Sequence, residues 1–286
     1  MKINVPASVP RSHKTIYEKN FKTATHNTEN LFLFAGDQKI EHLNEDFSLK
    51  LNFGNSDPEH LFKIADQSKI GVFAAHLGLI SRYGKKYQKI PYLVKLNGKS
   101  NLIKNQDPLS MSLNSVADVI KFKESSKLKI LGIGYTIYLG SEYENEMLVE
   151  ASRAIFQAHQ NGLLAVIWIY PRGKNVKNEK SLDILAGAGG LGLCLGADFI
   201  KLVYPFGDKK EDAKKFNEVV VAAGNSGIIC SGGEKITEKS FLQMTKNQLA
   251  IAKTRGCAVG RNVHQNNLST AIRIANKISD IIYGKE

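Results

Sequence analysis

The sequence is short of cysteine, arginine and long apolar runs, and each shortage removes a class of protein. Three cysteines among 286 residues, Cys194, Cys230 and Cys257, stand far apart in apolar segments. That spacing suits neither a disulfide framework nor a metal-ligand set, and reads as buried free thiols in a reducing compartment. No apolar run approaches the ~18–20 residues of a membrane span; the longest, GLLAVIWIY at 162–170, is far shorter. The opening MKINVPASVPRSHK carries no apolar h-region, so the expectation is a cytoplasmic protein rather than a secreted one. Acidic residues are also scarce, 27 against 39 basic ones, for a net charge of +12. Only seven of those basic residues are arginine, and the lysines are dispersed, densest in GKKYQK (84–89) and GDKKEDAKKF (207–216). A nucleic-acid binder concentrates charge on one face and uses arginine on phosphates and bases. The sequence therefore predicts no nucleic-acid and no membrane partner, and an anionic small substrate matches the sign of the charge.

What the chain does have is a regular march of apolar, β-rich runs, each closed by a turn signal. They are LFLFAGD (31–37), GVFAAH (71–76), YLVKLNG (92–98), ILGIGYTIYLG (130–140), LLAVIWIYPRG (163–173), DFIKLVYP (198–205), GIICSGG (227–233) and GCAVGRN (256–262). Helical patterns lie between them. SEYENEMLVEASRAIFQAHQNG (141–162), for example, opens on a serine cap and an acidic turn and ends on Gly162. Strands apolar on both faces that alternate with helices imply a parallel sheet covered on both sides. Eight such units without a composition break predict a single (β/α)8 TIM barrel over residues 31–286, with residues 1–30 as an N-terminal extension lying across it. GAGGLG (187–192) fits a dinucleotide-binding pattern, but it follows SLDILA rather than a strand. It reads as a small-residue helix packed against strands five and six.

A barrel of this kind builds its active site at the C-terminal ends of its strands. Strand one ends in Asp37, followed by Gln38, Glu41 and His42; strand three carries Lys95 and Asn97. Strand five brings Trp168, Tyr170 and Arg172, strand six Lys201 and Tyr204, and the last two strands SGG and GRN. Ser231, Gly232, Gly233, Gly260 and Arg261 sit in tight strand-to-helix turns, where backbone N–H groups converge into a nest for a phosphate. Lys201 stands in the middle of an apolar strand, where an ammonium is costly unless it is paired or neutral. A neutral lysine attacks a carbonyl to form a Schiff base. Lys95, also in an apolar strand, is either the second cation that depresses Lys201 or the partner of Asp37 or Glu41. With a phosphate nest on the next strand, Lys201 is placed to hold a phosphorylated ketone over its amine. Asp37 and Tyr170 are the natural proton handlers for such chemistry. His42 either binds a second phosphate or caps its loop, Trp168 is expected as a pocket wall, and His76 and His264 as structural residues.

Together these blocks resemble the archaeal-type class I fructose-bisphosphate aldolases, from about residue 30 to the C-terminus. AGDQKIEH resembles that family's block after strand one, YTIYLGSE its strand-four signature and WIYPRG its strand-five block. GADFIKLVYP resembles its Schiff-base strand and AVGRNV its last phosphate loop. The resemblance implies reversible cleavage of fructose 1,6-bisphosphate in glycolysis or gluconeogenesis, with Lys201 as the imine lysine, Tyr170 as general acid/base and Asp37 as its partner. It implies phosphate binding by Gly232, Gly233, Gly260 and Arg261, with Trp168 and Arg172 lining the pocket. It also implies a homo-oligomer needing no metal or cofactor. The strand-one block departs from the family at Lys39, where glycine is usual, and at Leu43-Asn44, where Gly-Pro is usual. Those changes are expected to bear on the second phosphate site. Two other readings compete: a related lysine aldolase or transaldolase-like enzyme acting on another phosphorylated sugar, and a non-catalytic sugar-phosphate sensor or nucleic-acid partner using the basic surface.

Overall fold

The computed structural model describes residues 3–51, 54–103 and 106–284. Helix α1 (Lys14–Ala24) precedes strand β1 (Leu31–Ala35), and helices α2 (Gln38–His42) and α3 (Glu59–Asp66) follow it. Then come β2 (Val72–His76), α4 (Leu77–Tyr83), β3 (Tyr92–Lys95), α5 (Val116–Ser126), β4 (Ile130–Leu139) and α6 (Glu144–Gln160). The second half runs β5 (Leu164–Pro171), α7 (Leu182–Leu195), β6 (Phe199–Leu202), α8 (Lys210–Ala222), β7 (Gly227–Ser231) and α9 (Glu238–Ala250). It ends with β8 (Gly256–Val259), the short α10 (Arg261–His264) and α11 (Leu268–Tyr283). The eight strands are parallel, pair in chain order and close where β1 meets β8, with Phe32 opposite Cys257. This is a (β/α)8 TIM barrel.

Local chemistry explains where the elements start and stop. Ser115 caps α5 in a reciprocal box with Asp118, Thr237 caps α9 and Asn267 caps α11, each accepting from a backbone N–H that has no helical partner. Residues 187–192 lie inside α7, which ends at Gly196 with φ 90. One cap differs from the sequence reading. Ser141 does not cap α6; its hydroxyl donates to Pro108 O at 2.7 Å, and the Glu144 carboxylate takes the Gly140 N–H at 2.5 Å instead.

Strand alternation sorts the apolar residues into two layers. Phe32, Phe34, Phe73, Ile167 and Ile200 face the helices. Leu33, Ala35, Ala74, Leu93, Val166, Phe199, Ile229 and Ala258 fill the barrel interior. Burying each large side chain contributes roughly 1.5–3 kcal/mol, so the interior is a packed core and not a pore.

The stretch before β1 seals the N-terminal end of that core. Val9, Tyr17 and Ala24 pack beneath the interior residues. Tyr17 donates its hydroxyl to Asp198 at 2.5 Å, and Asp198 also accepts from Ala165 N at 2.7 Å and lies 3.2 Å from His159 Nε2. Ser8 Oγ reaches the other ring nitrogen of His159 at 2.7 Å, and Asn20 donates to Gly162 O at 2.8 Å. A cavity of about 620 Å³ opens on this face between the N-terminal stretch and β6–β8. It gathers none of the reactive side chains, which lie at the opposite end. No helix among the described residues is long and apolar enough to cross a membrane.

Candidate active site

The cleft at the C-terminal ends of the strands has a volume of about 520 Å³ and is lined by residues from β1, β5, β6, β7 and β8. Lys201 rises into it from β6, 3% exposed, with Trp168 of β5 and Ile229 of β7 as its register neighbours. Its Nζ lies 5.2 Å from the centre of the Trp168 ring. Among the described residues it has no hydrogen-bond acceptor and no ion-pair partner, so its amine is left for a ligand.

Lys95 is the contrast that resolves the alternatives left open for it. It too is 3% exposed, and its Nζ lies 5.4 Å from the centre of the Trp168 ring, but it donates to Asn97 O and Asn97 Oδ1, both at 3.0 Å. Asn97 is itself fixed, donating to Ser110 O and Thr136 O and accepting from Thr136 N, each at 2.8 Å. Lys95 is thus bound to an amide rather than bonded to either carboxylate. Burial pulls its pKa down to about 8; Asp37 and Glu41 oppose that shift, and Lys201 adds to it. The lysine of β3 is held, and the lysine of β6 is free.

Trp168 corrects the sequence reading. At 1% exposure it belongs to the barrel interior and does not line the cleft. It acts as the floor under both lysines. The benzo edge of its ring abuts Gly134, where a Cβ would come within 2.4 Å of the indole.

Asp37 and Tyr170 do line the cleft. Asp37 is buried, and its Oδ1 has no donor among the described residues. Tyr170 stacks on its register partner Tyr138 with ring centres 6.1 Å apart, and the Arg172 guanidinium lies 4.9 Å from the centre of its ring. Burial raises the Tyr170 pKa above the ordinary phenol value, with Glu41 and Asp37 adding to the rise; Lys201 and Arg172 work against it. The phenol therefore holds its proton at neutral pH, beside a group that favours its release when positively charged.

The turns after β7 and β8 form the far wall. Gly233 has φ 65, which glycine adopts without strain. Gly232 spends its own N–H on Ala258 O at 2.9 Å, so it has no backbone donor left for the phosphate expected at these turns. Arg261 donates its Nε to Gly233 O at 3.1 Å, joining the two turns. Sequence reasoning missed Asn262, which clamps the nest by donating to Gly232 O at 2.8 Å and Glu234 O at 3.0 Å and accepting from Ile236 N at 3.0 Å. Gln38, named at the end of strand one without a role, lies so close to Gly260 that a Cβ there would meet its Oε1 at 2.2 Å.

His42 lines the cleft and is also tied to Asp46 at 2.8 Å, four residues along its own loop. Burial opposes ionisation of Asp46, yet His42 and Arg261 beside it hold its pKa below the usual carboxylate value. His264 is buried between Asn55 (2.9 Å) and Gln38 (3.2 Å), and burial pushes it down to about 3. His76 donates its Nε2–H to Asn97 O, 3.2 Å away, behind the cleft wall. The departures at Lys39, Leu43 and Asn44 do not line the cleft; Lys39 points its ammonium at the Phe47 ring, 4.6 Å off. Leu43 has φ 50, a conformation that glycine takes more cheaply. Among the described residues, no group of three or more His, Cys, Asp or Glu side chains is placed to hold a metal ion.

With this geometry in place, the chain can be compared with known proteins. A family model described as DeoC/LacD family aldolase matches residues 31–266. The chain belongs to that aldolase family. Among curated relatives of this family member, a Methanocaldococcus jannaschii protein is 52% identical over 99% of this chain and 91% of its own length. It is named fructose-bisphosphate aldolase/6-deoxy-5-ketofructose 1-phosphate synthase. A class 1 fructose-bisphosphate aldolase of Thermoproteus tenax is 34% identical over 88% of this chain and 89% of its own. The fold of a fructose-bisphosphate aldolase from Slackia heliotrinireducens matches with a TM-score of 0.95 at 44% identity, covering all of this chain and 91% of the other. An archaeal fructose-1,6-bisphosphate aldolase, solved with its catalytic lysine covalently bound to the carbinolamine intermediate, matches at 0.81 and 31% identity. That match covers 94% of this aldolase-family chain and 100% of the other.

Proposed function

We propose that this protein is a class I fructose-bisphosphate aldolase, cleaving fructose 1,6-bisphosphate reversibly to dihydroxyacetone phosphate and glyceraldehyde 3-phosphate through an imine on Lys201. The observation that carries the reading is the unpartnered Lys201 amine, buried over Trp168 and facing Asp37, Tyr170 and an anion nest across one cleft. A phosphate seated at Gly233, Gly260 and Arg261 brings the neighbouring C2 carbonyl over Lys201.

The Lys201 amine then adds to C2, and the resulting carbinolamine loses water. Tyr170, protonated at neutral pH, supplies the proton that lets the hydroxyl leave. The iminium so formed on Lys201 is a positive charge beside the tyrosinate, the interaction that lowers the Tyr170 pKa. The tyrosinate next takes the proton of the C4 hydroxyl, the C3–C4 bond breaks, and its electrons pass into the iminium to give an enamine. After the aldehyde departs, Tyr170 returns its proton to C3, and water releases dihydroxyacetone phosphate. Asp37, with an oxygen unused by the protein, serves as the hydrogen-bond acceptor for substrate hydroxyls near the imine. A homo-oligomeric state belongs to the same reading and is checked by light scattering.

A second reading concerns the acceptor. Arg172, the cation at the far end of the cleft, is already engaged by Glu179 at 3.4 Å. That arrangement supports turnover of acceptors without a phosphate, in keeping with the second name of the Methanocaldococcus relative.

The test is borohydride trapping with dihydroxyacetone phosphate, followed by peptide mapping. An adduct on the peptide holding Lys201, absent from Lys201→Ala, is the expected result. An adduct on Lys95 would keep the class and move the site, and no adduct at all would remove the imine mechanism.

A further inference from the structure

The mechanism above uses Asp37 and leaves unassigned a second carboxylate in the same cleft. Glu41, on α2, lines the cleft and also the small polar space behind it that Lys95 and His76 share. It is held from two sides. Its Oε1 accepts the Tyr138 hydroxyl at 2.8 Å, and its backbone carbonyl accepts from Asn101 N at 3.0 Å. Tyr138 in turn is stacked on Tyr170. The second carboxylate oxygen has no donor among the described residues, and it is not sealed away from the cleft.

The order of groups along the cleft fixes what that oxygen meets. The phosphate nest on β7 and β8 takes the C1 end, Lys201 takes C2, and Asp37 with Tyr170 handles C3 and C4. Glu41 is joined to Tyr170 through the stacked Tyr138, and Arg172 lies 4.9 Å from the centre of the Tyr170 ring. We infer that Glu41 selects the acceptor aldehyde by accepting a hydrogen bond from the hydroxyl next to its carbonyl, the atom that becomes O5 of the six-carbon product. This rests on the aldolase reading and adds a specificity residue to it.

The chemistry discriminates between two kinds of acceptor. Glyceraldehyde 3-phosphate has a hydroxyl at that carbon and can donate. An α-ketoaldehyde has a carbonyl oxygen there and can only accept, so it meets a carboxylate with lone pair against lone pair. A charged hydrogen bond made or lost in the cleft changes selectivity by about tenfold to a hundredfold. Glu41→Gln keeps the shape and an acceptor for Tyr138, but replaces one acceptor oxygen with an N–H donor.

The experiment is aldol synthesis from dihydroxyacetone phosphate with two acceptors, glyceraldehyde 3-phosphate and pyruvaldehyde, in wild type, Glu41→Gln and Glu41→Asp. The quantity read is the ratio of the two kcat/KM values within each protein, in which a general loss of fold or of imine formation cancels. The expected result is a ratio shifted toward the ketoaldehyde by about tenfold or more in Glu41→Gln, with Glu41→Asp retaining the wild-type preference. An unchanged ratio in Glu41→Gln would overturn the inference, leaving Glu41 as a brace for Tyr138. If wild type joined neither acceptor and trapped no imine, the aldolase reading itself would fall, and the two failures are thereby told apart.

Discussion

Replacing Lys95 by methionine is expected to make the protein more stable at neutral pH and a poorer catalyst. Lys95 sits almost fully buried, with its pKa pulled down from 10.5 to about 8 by burial. That displacement corresponds to roughly 3 kcal/mol spent on keeping the ammonium charged inside the barrel. Methionine has a similar length and no charge. The acceptors it abandons keep other donors: Asn97 Oδ1 still accepts from Thr136 N at 2.8 Å, and His76 Nε2 still lies 3.2 Å from Asn97 O. Little hydrogen bonding is therefore lost, and exchanging a buried charge for a hydrophobe of like volume is often stabilising by about 1–4 kcal/mol.

The pH dependence separates this explanation from a simple packing gain. Below about pH 8 the lysine is protonated in both states, and the folded wild type bears the full cost. Between about 8 and 10.5 the folded chain gives up its proton before the unfolded chain does, so wild-type stability rises with pH relative to Lys95→Met. Urea unfolding of both proteins at pH 7 and pH 10.5 should show the methionine advantage shrinking by roughly 3 kcal/mol between them. Turnover of fructose 1,6-bisphosphate should fall at least about tenfold in the variant, because Asp37 and Glu41 lose the buried cation that faces them. A stability difference that stays flat with pH, or a wild type more stable than the variant at pH 7, would refute the reasoning.

Two further outcomes follow from the site. Gly260→Ala would place a methyl group 2.2 Å from Gln38 Oε1, so Gln38 must break its 3.2 Å contact with His264 and swing away, or the turn must shift. KM for phosphorylated substrates should rise about tenfold, and an unchanged KM would show that this turn does not bind the phosphate. His264, pushed down to about 3 by burial, remains neutral in the fold. Its contribution is present above the unfolded value of 6.5 and is lost as pH falls toward 3, at up to about 1.4 kcal/mol per pH unit. His264→Asn should flatten the acid side of the stability curve, and chemical denaturation between pH 7 and 4 reads it directly.

The barrel was legible because its signal is repeated: strands apolar on both faces alternate with helices, and the count of eight constrains closure. Lys201 was legible for a local reason, since an ammonium among Phe199, Ile200 and Leu202 requires an explanation wherever it occurs. The division of labour between the two lysines was not. It depends on Asn97, two residues past Lys95, being pinned by Thr136 and Ser110 from other parts of the chain. Trp168 was misplaced because a strand-end tryptophan looks the same in sequence whether it faces a cleft or lies under it. Gly134 on β4, which lacks the Cβ that would meet the indole at 2.4 Å, leaves the ring its space. The roles of Asn262 and Gln38 likewise arise from neighbouring turns that meet only once the barrel has closed.

The mooring of the N-terminal stretch also sets an order of events during synthesis. Tyr17 and Ser8 bind Asp198 and His159, and β1 pairs with β8. Segments that emerge first from the ribosome thus find their partners only after most of the chain has been made, tens of seconds later at roughly 5–20 residues per second. Until then Leu31, Phe32, Leu33 and Phe34 form one unpaired edge of a growing open sheet, and Tyr17 has no carboxylate to meet. The nascent protein therefore carries its stickiest strand longest, and the same closing step ends that exposure, seals the floor and brings the β1 and β8 halves of the cleft together.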